Sequence, residues 1–131
     1  MRKDGILNPE ISEFLSSLGH TDLLVICDAG FPIPKDTKRI DLTLIKNIPR
    51  FIDVLKAVCS EIVVEKIILA EEIQKFSPEL LKEIKKILKD VSIEFIPHGK
   101  FKEMSKNAKG IIRSAEFTPY ANIILICGVA Y

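Results

Sequence analysis

The chain has 131 residues, of which 47% are hydrophobic and 28% are charged, a balance that fits a packed globular fold and excludes a disordered one. This length suits a single domain covering residues 1–131, with a hydrophobic core of its own. The 19 basic side chains nearly balance the 18 acidic ones, so no overall charge draws the protein toward nucleic acid or a membrane surface.

The apolar segments are short and interrupted by charge, and none approaches the roughly 20 residues of a membrane-spanning helix. The first residues lack the apolar stretch of a signal peptide, so a cytoplasmic location is expected. Cys27, Cys59 and Cys127 lack the paired spacing of a zinc or redox motif. Cys27 and Cys127 are expected to be small buried hydrophobic residues, with a nucleophilic role as the minor alternative.

The first half of the chain alternates helical and strand patterns. Asn8-Pro9-Glu10 begins a helix whose apolar positions repeat at helical spacing, and Gly19 is expected to end it. The sequence then predicts a buried strand over 23–27, a Gly/Pro-rich loop over 29–39, a half-buried strand over 40–44 and a helix over 49–60.

The second half continues the alternation. Ser77-Pro78-Glu79 begins an amphipathic helix whose charged face is expected to be solvated. The other predicted elements are strands over 63–69, 92–96, 109–113 and 122–127 and a helix over 98–107. Regular alternation of strands and helices predicts an α/β layered domain.

His20 and His98 are the only histidines, and both fall at junctions between predicted elements. The ordinary histidine pKa of about 6.5 suits general acid or base catalysis at neutral pH. For His20 a second interpretation is equally favoured, in which the side chain only balances the dipole at a helix C-terminus.

Further polar residues lie at strand ends. Asp28 follows a predicted strand and precedes a Gly/Pro loop, so it is either a ligand-binding carboxylate or the residue that begins a turn. Tyr120 and Asn122, on either side of Ala121, offer a phenol, an amide and backbone groups just before the last strand. Several directed hydrogen bonds and one flat surface, without strong charge, suit a neutral polyol.

Several well-known catalytic motifs are missing from the sequence. The six glycines are scattered rather than grouped in a phosphate loop, and neither HExxH, a Cys/His cluster nor Gly-x-Ser-x-Gly occurs. We therefore expect an acid–base reaction without a cofactor or a metal.

Taken together, the motifs resemble those of the D-ribose pyranase family, also called the RbsD/FucU sugar-mutarotase family, over nearly the whole chain. They occur in the family's order: LGHTD (18–22), CDAG (27–30) followed by PIP (32–34), RIDL (39–42), AEEI (70–73), His98 with FK (101–102), and residues 112–125. A histidine replaces the glycine of CDAG in the fucose branch, so Gly30 favours the ribose branch, as does PYAN (119–122).

Two positions depart from the family pattern. Ala115 stands where the family usually has glycine, which could alter a tight turn that needs a positive φ. Tyr131 replaces the usual terminal phenylalanine. Neither is expected to take part in proton transfer.

The resemblance implies a three-layer α/β/α domain with a mixed sheet, assembled as a decamer of two pentameric rings with sites near subunit contacts. It also implies interconversion of the β-pyranose and β-furanose forms of D-ribose, supplying the furanose that a ribokinase phosphorylates. His20 corresponds to the proton donor. The sugar-binding residues correspond to Asp28, His98, Tyr120, Ala121 through its backbone, and Asn122.

Two other functions stay open at this point. One is L-fucose mutarotase, which exchanges anomers by the same type of acid–base step. The other is a non-catalytic sugar-binding partner of a ribose transporter.

Overall fold

The computed structural model describes residues 1–131 and contains five helices and six strands. The helices are α1 (Pro9–Ser16), α2 (Phe51–Cys59), α3 (Ile73–Phe76), α4 (Pro78–Ile87) and α5 (His98–Ser105). The strands are β1 (Leu23–Cys27), β2 (Lys38–Asp41), β3 (Val64–Ala70), β4 (Ser92–Ile96), β5 (Gly110–Arg113) and β6 (Ile123–Cys127).

All six strands form one sheet in the order β2-β5-β1-β6-β3-β4. β6 is antiparallel to both of its neighbours, and every other pair is parallel. The carboxyl ends of β1 to β5 therefore lie at one edge of the sheet, together with the amino end of β6. We call this the carboxyl edge and the opposite one the amino edge.

Side chains of the central strands alternate between two cores, as the period of two requires. In β1, Leu24 and Ile26 face a large core covered by α1 to α4. Val25 and Cys27 face a smaller core on the other side, which Phe101 of α5 helps to form. The expected three-layer α/β/α architecture with a mixed sheet is confirmed.

The strand predicted over 40–44 lies earlier in the chain, at Lys38–Asp41. Its last pair is Asp41 with Arg113, the residue that ends β5. The Asp41 carboxylate then accepts a hydrogen bond from the Thr43 backbone at 3.0 Å, which turns the chain away from the sheet. Leu44 consequently lies outside the strand, with 74% of its surface exposed. The alternation of apolar and polar residues over 40–44 therefore does not reflect a half-buried strand.

The helices also differ from the predicted bounds. α1 ends at Ser16 rather than near Gly19, whose backbone N–H instead donates to the Asp22 carboxylate at 2.6 Å. The prediction missed α3, which is only one turn long, and α5 ends at Ser105. No helix is both long enough and apolar enough to cross a membrane.

Candidate active site

The carboxyl edge of the sheet brings together polar residues that are far apart in the sequence. Asp28 follows β1, His98 follows β4 after one proline, and Asn122 immediately precedes β6. They meet because β6 runs antiparallel to β1 and β3, so that its amino end lies beside their carboxyl ends. Asp28, His98, Tyr120 and Asn122 thus lie at the same edge, and Ala121, the fifth predicted sugar-binding residue, is fully buried.

Asp28 and Asn122 are joined by two hydrogen bonds. The Asp28 backbone N–H donates to Asn122 Oδ1 at 2.9 Å, and Asn122 Nδ2 donates to Asp28 Oδ2 at 3.0 Å. The Gly30 backbone N–H donates to the other carboxylate oxygen, Oδ1, at 3.0 Å. Asn122 is only 1% exposed, so the amide fixes the carboxylate and is itself fixed by packing. Asp28 thus begins a turn, as one of its two interpretations predicts, and its role as a ligand-binding carboxylate stays a prediction.

Arg113, at the end of β5, secures the loop that follows Asp28. Its guanidinium donates to the Ala29 carbonyl from Nε at 3.0 Å and from Nη2 at 2.7 Å. Its Nη1 donates to Asp41 Oδ2 at 2.9 Å. Although burial opposes it, hydrogen bonding from Thr43 and Arg113 holds the pKa of Asp41 well below its usual range. The pair therefore stays charged and keeps the turn after Asp28 in place.

The His98 ring lies among aromatic side chains. It meets the Tyr120 ring edge-on, with centroids 5.1 Å apart and an interplanar angle of 88°, and it stacks on Phe101 at 6.2 Å. Tyr120 has a left-handed backbone with φ of 59°, which is unusual for a bulky residue. Strained backbone of this kind concentrates at functional sites, where the surrounding structure maintains it.

Burial shifts the pKa of Asp28 and that of His98. It raises the pKa of Asp28, against the opposing hydrogen bonds from Gly30 and Asn122. It lowers the pKa of His98, and the positive charge of Lys102 acts in the same direction. Partly desolvated groups of this kind are typical of binding and catalytic sites.

His20 lies at the amino edge, at the other end of β1 from Asp28. The two residues are separated by the whole of Leu23–Cys27, a strand about 13 Å long at the usual rise per residue. His20 Nε2 lies 3.0 Å from the carboxylate of Glu65 on β3, and the two side chains are 51% and 43% exposed. One chain therefore does not bring His20 to the predicted sugar-binding residues.

The dipole interpretation of His20 is not supported by this geometry. α1 ends at Ser16, and His20 lies beyond the turn in which a helix dipole is felt. The partner of His20 is instead Glu65, so the histidine is an exposed titratable group held by a carboxylate. Its catalytic role stays a prediction.

A cavity of about 480 Å³ opens beside Asp28, between the segment after β2 and the segment after β5. Its polar lining comes from Asp28, Thr43, Lys46, Arg113, Glu116 and Thr118. Asp28 alone among the predicted site residues lines it. The cavity therefore adjoins the carboxyl edge at Asp28.

Ala115 does not occupy a left-handed turn, so the expected effect of the missing glycine is wrong. The non-glycine residues with positive φ are Thr21, Asn47 and Tyr120. Ala115 is fully buried, and its backbone N–H donates to the Pro49 carbonyl at 2.8 Å.

Cys27 and Cys127 are buried, as predicted, and Cys59 is partly buried. Burial raises the pKa of Cys27 and Cys127, and it raises the pKa of Cys59 to about 12, so none is a thiolate at neutral pH. Replacing each cysteine with alanine should leave catalysis unchanged and slightly lower the Tm through lost packing. Sugar exchange rates and thermal unfolding of the three variants test this, and a variant that folds without activity would contradict it.

Three residues that support this edge or contact His20 are not among the site residues predicted from the sequence: Glu65, Glu72 and Arg113. Glu72 and Arg113 both come at or just after a strand end at the carboxyl edge, the same signal that identified Asp28. Glu65 lies inside β3 at an exposed position, and only its contact with His20 reveals it. Their position at a strand end would therefore have identified Glu72 and Arg113, but not Glu65.

The fold and this polar edge define an α/β domain with a site suited to a small neutral polyhydroxy ligand. The sequence model of the RbsD / FucU transport protein family matches residues 1–130, so the chain belongs to this family.

Two relatives that are similar over their full length are named D-ribose pyranase. The chain is 54% identical to a D-ribose pyranase of Geobacillus thermodenitrificans, over 100% of this chain and 99% of the relative. It is 56% identical to a D-ribose pyranase of Clostridium tetani, over 100% of both chains.

Solved structures show the same fold. Bacillus subtilis RbsD in complex with D-ribose superposes with a TM-score of 0.96 at 44% identity and 100% coverage of both chains. A fucose mutarotase of Streptococcus pneumoniae in complex with L-fucose has a TM-score of 0.83 at 22% identity over 95% of both chains, which shows a shared fold alone.

Proposed function

We propose that this protein interconverts the β-pyranose and β-furanose forms of D-ribose without a cofactor, supplying the furanose that a ribokinase phosphorylates. The observation that carries the proposal is full-length identity of 50% to 56% to proteins named D-ribose pyranase. The ribose-bound neighbour at 44% identity supports the same substrate. Gly30 and the 119–122 segment, which favour the ribose branch over the fucose branch, lie at the carboxyl edge.

The chemistry requires little more than proton transfer and orientation. Ring opening protonates the ring oxygen while the anomeric hydroxyl loses its proton, which yields the open aldehyde. A different hydroxyl then attacks the aldehyde carbon to close the other ring. A titratable donor and several directed hydrogen bonds are sufficient for both steps.

His20 is proposed as the proton donor. Asp28, His98, Tyr120 and Asn122 are proposed to bind the sugar through their side chains, and Ala121 through its backbone. Asp28 and Asn122 present oxygens and an amide N–H fixed by mutual hydrogen bonds, so a sugar hydroxyl meets them in one arrangement.

Because His20 and Asp28 lie at opposite edges of one sheet, a complete site requires a second subunit. The carboxyl edge of one chain would receive His20 from the amino edge of its neighbour, as in the expected cytoplasmic decamer of two pentameric rings. Exposed apolar residues support such contacts: Leu44 is 74% exposed, Ile45 59%, Ile48 51% and Phe117 59%.

Mixing a variant impaired in proton transfer with one impaired in ribose binding, assayed at a ribose concentration well below saturation, tests whether sites are shared between subunits. His20→Ala and Asn122→Ala chains, dissociated together and reassembled, should recover about a quarter of the original active sites, because only some contacts pair an intact His20 with an intact Asn122. Separately reassembled variants are the control. Mixed assemblies that are no more active than the separately reassembled variants, although ultracentrifugation shows mixed oligomers, would contradict the shared site.

NMR exchange spectroscopy with D-ribose and L-fucose, in the presence of a chelator, tests the function. We expect accelerated pyranose–furanose exchange of ribose, undiminished by the chelator, because no group of three His, Cys, Asp or Glu side chains is placed to hold a metal. Anomer exchange of fucose alone would indicate a fucose mutarotase. Ribose binding without acceleration would indicate a binding protein.

A further inference from the structure

The carboxylate of Glu72 holds the first residue of α5. Both of its oxygens accept a hydrogen bond from the His98 backbone N–H, at 3.1 and 3.0 Å. The N-cap residue, Pro97, provides no side-chain cap, so Glu72 supplies both the missing acceptor and a negative charge at the helix N-terminus. The neighbouring Glu71 backbone N–H donates to the Ile96 carbonyl at 2.7 Å, which ties this turn to the end of β4.

The two nitrogens of the His98 ring have different surroundings. Nδ1 is buried and has no hydrogen-bond partner, whereas Nε2 is not buried. A proton on Nδ1 would be a buried donor without an acceptor, which costs free energy. The imidazolium would combine such a proton with a buried positive charge, so the ring favours the neutral state, and only a proton on Nε2 can be donated to a ligand.

The charges around His98 come from three elements. Lys102 lies one turn further along α5, Glu72 follows β3, and Asp28 follows β1. Burial and Lys102 lower the pKa of His98, and Glu72 and Asp28 act in the opposite direction. The remaining titratable neighbour, Tyr120, meets the ring edge-on. The balance leaves the ring neutral at neutral pH.

We propose that Glu72 is a positioning residue of this site, which holds His98 so that its neutral ring offers an Nε2–H donor to the ligand. The identity of that ligand as a sugar rests on the proposed function. A neutral donor suits a hydroxyl oxygen, because it binds without giving up its proton. His98 would then bind and orient the sugar, and proton transfer would be left to His20.

Nitrogen-resolved NMR of the full-length protein without sugar tests this arrangement. At neutral pH we expect the His98 proton on Nε2. Glu72→Gln should lower the pKa of His98, because it removes a negative charge that stabilises the imidazolium, and Lys102→Gln should raise it. Glu103→Gln is the matched control, since Glu103 lies on the same helix but pairs with Lys106 at 3.0 Å. A proton on Nδ1, or a His98 titration that does not respond to Glu72→Gln, would overturn the proposal.

Calorimetry with D-ribose adds the functional readout. Glu72→Gln should weaken ribose binding about tenfold, as expected when the charged acceptor of a hydrogen bond is replaced by a neutral one. It should raise KM more than it lowers kcat. Glu72→Asp keeps the charge and should restore much of the affinity, and Glu103→Gln should bind normally. Unchanged affinity in Glu72→Gln would overturn the role of Glu72 in binding. If the NMR results are as expected but the unmodified protein does not bind ribose, the proposed function fails while the arrangement of Glu72 and His98 stands.

Discussion

Replacing His20 with alanine should slow ring exchange of D-ribose by about a hundred- to ten-thousand-fold, the usual loss when one acid–base group is removed. The fold should be unaffected, because the His20 side chain is 51% exposed and its one polar partner is the exposed side chain of Glu65. Ribose binding should largely remain, since the predicted sugar-binding residues lie at the opposite edge of the sheet. NMR exchange spectroscopy gives the rate, and calorimetry gives the affinity.

Glu13→Ala is a suitable control for this variant. Glu13 is exposed on α1, close in sequence to His20, and is expected to have no role in the reaction. Added imidazole should restore part of the activity of His20→Ala, because removal of the ring leaves a space of its own size that a small molecule can fill. Exchange close to the unmodified rate in His20→Ala would exclude His20 from the mechanism.

The sequence predicted strands well where local pattern and burial agree. Residues 23–27 and 92–96 form strands with the predicted bounds, because short apolar or alternating runs end there at turn residues. The strand near residue 40 was displaced, because the turn after Asp41 depends on a side-chain hydrogen bond and on pairing with distant β5. Strand order was not accessible to local pattern, and the mixed sheet was expected only from the family resemblance.

The sequence identified individual candidate residues, but it did not predict which of them lie close together in the fold. Junction positions identified His20 and Asp28 as functional candidates, yet β1 separates them to opposite edges of the sheet. A residue that precedes a strand and one that follows it lie at opposite edges of the sheet, so the edge at which each candidate lies depends on the direction of its strand. The antiparallel course of β6, which brings Asn122 to Asp28 across 94 positions of sequence, is a tertiary property that no local motif shows.

Asn122→Ala should weaken ribose binding about ten- to a hundred-fold. The amide is 1% exposed and makes two hydrogen bonds with Asp28, so its removal leaves buried polar groups without partners, at a cost of about 1 to 3 kcal/mol. It also frees the Asp28 carboxylate to leave its binding orientation. Calorimetry measures the loss, and Asn107→Ala, at an exposed position after α5, is the matched control.

The same variant should change how binding depends on pH. Burial already raises the pKa of Asp28, and the hydrogen bond from Asn122 opposes that rise, so Asn122→Ala should raise this pKa further. If the ionised carboxylate binds the sugar, affinity is present above the pKa of Asp28 and is lost as the pH falls through it. The loss should therefore begin at a higher pH in Asn122→Ala than in the unmodified protein.

Asp28→Asn removes the titrating group and should abolish this dependence while also weakening binding. Unchanged affinity in both Asn122→Ala and Asp28→Asn would mean that the sugar binds elsewhere.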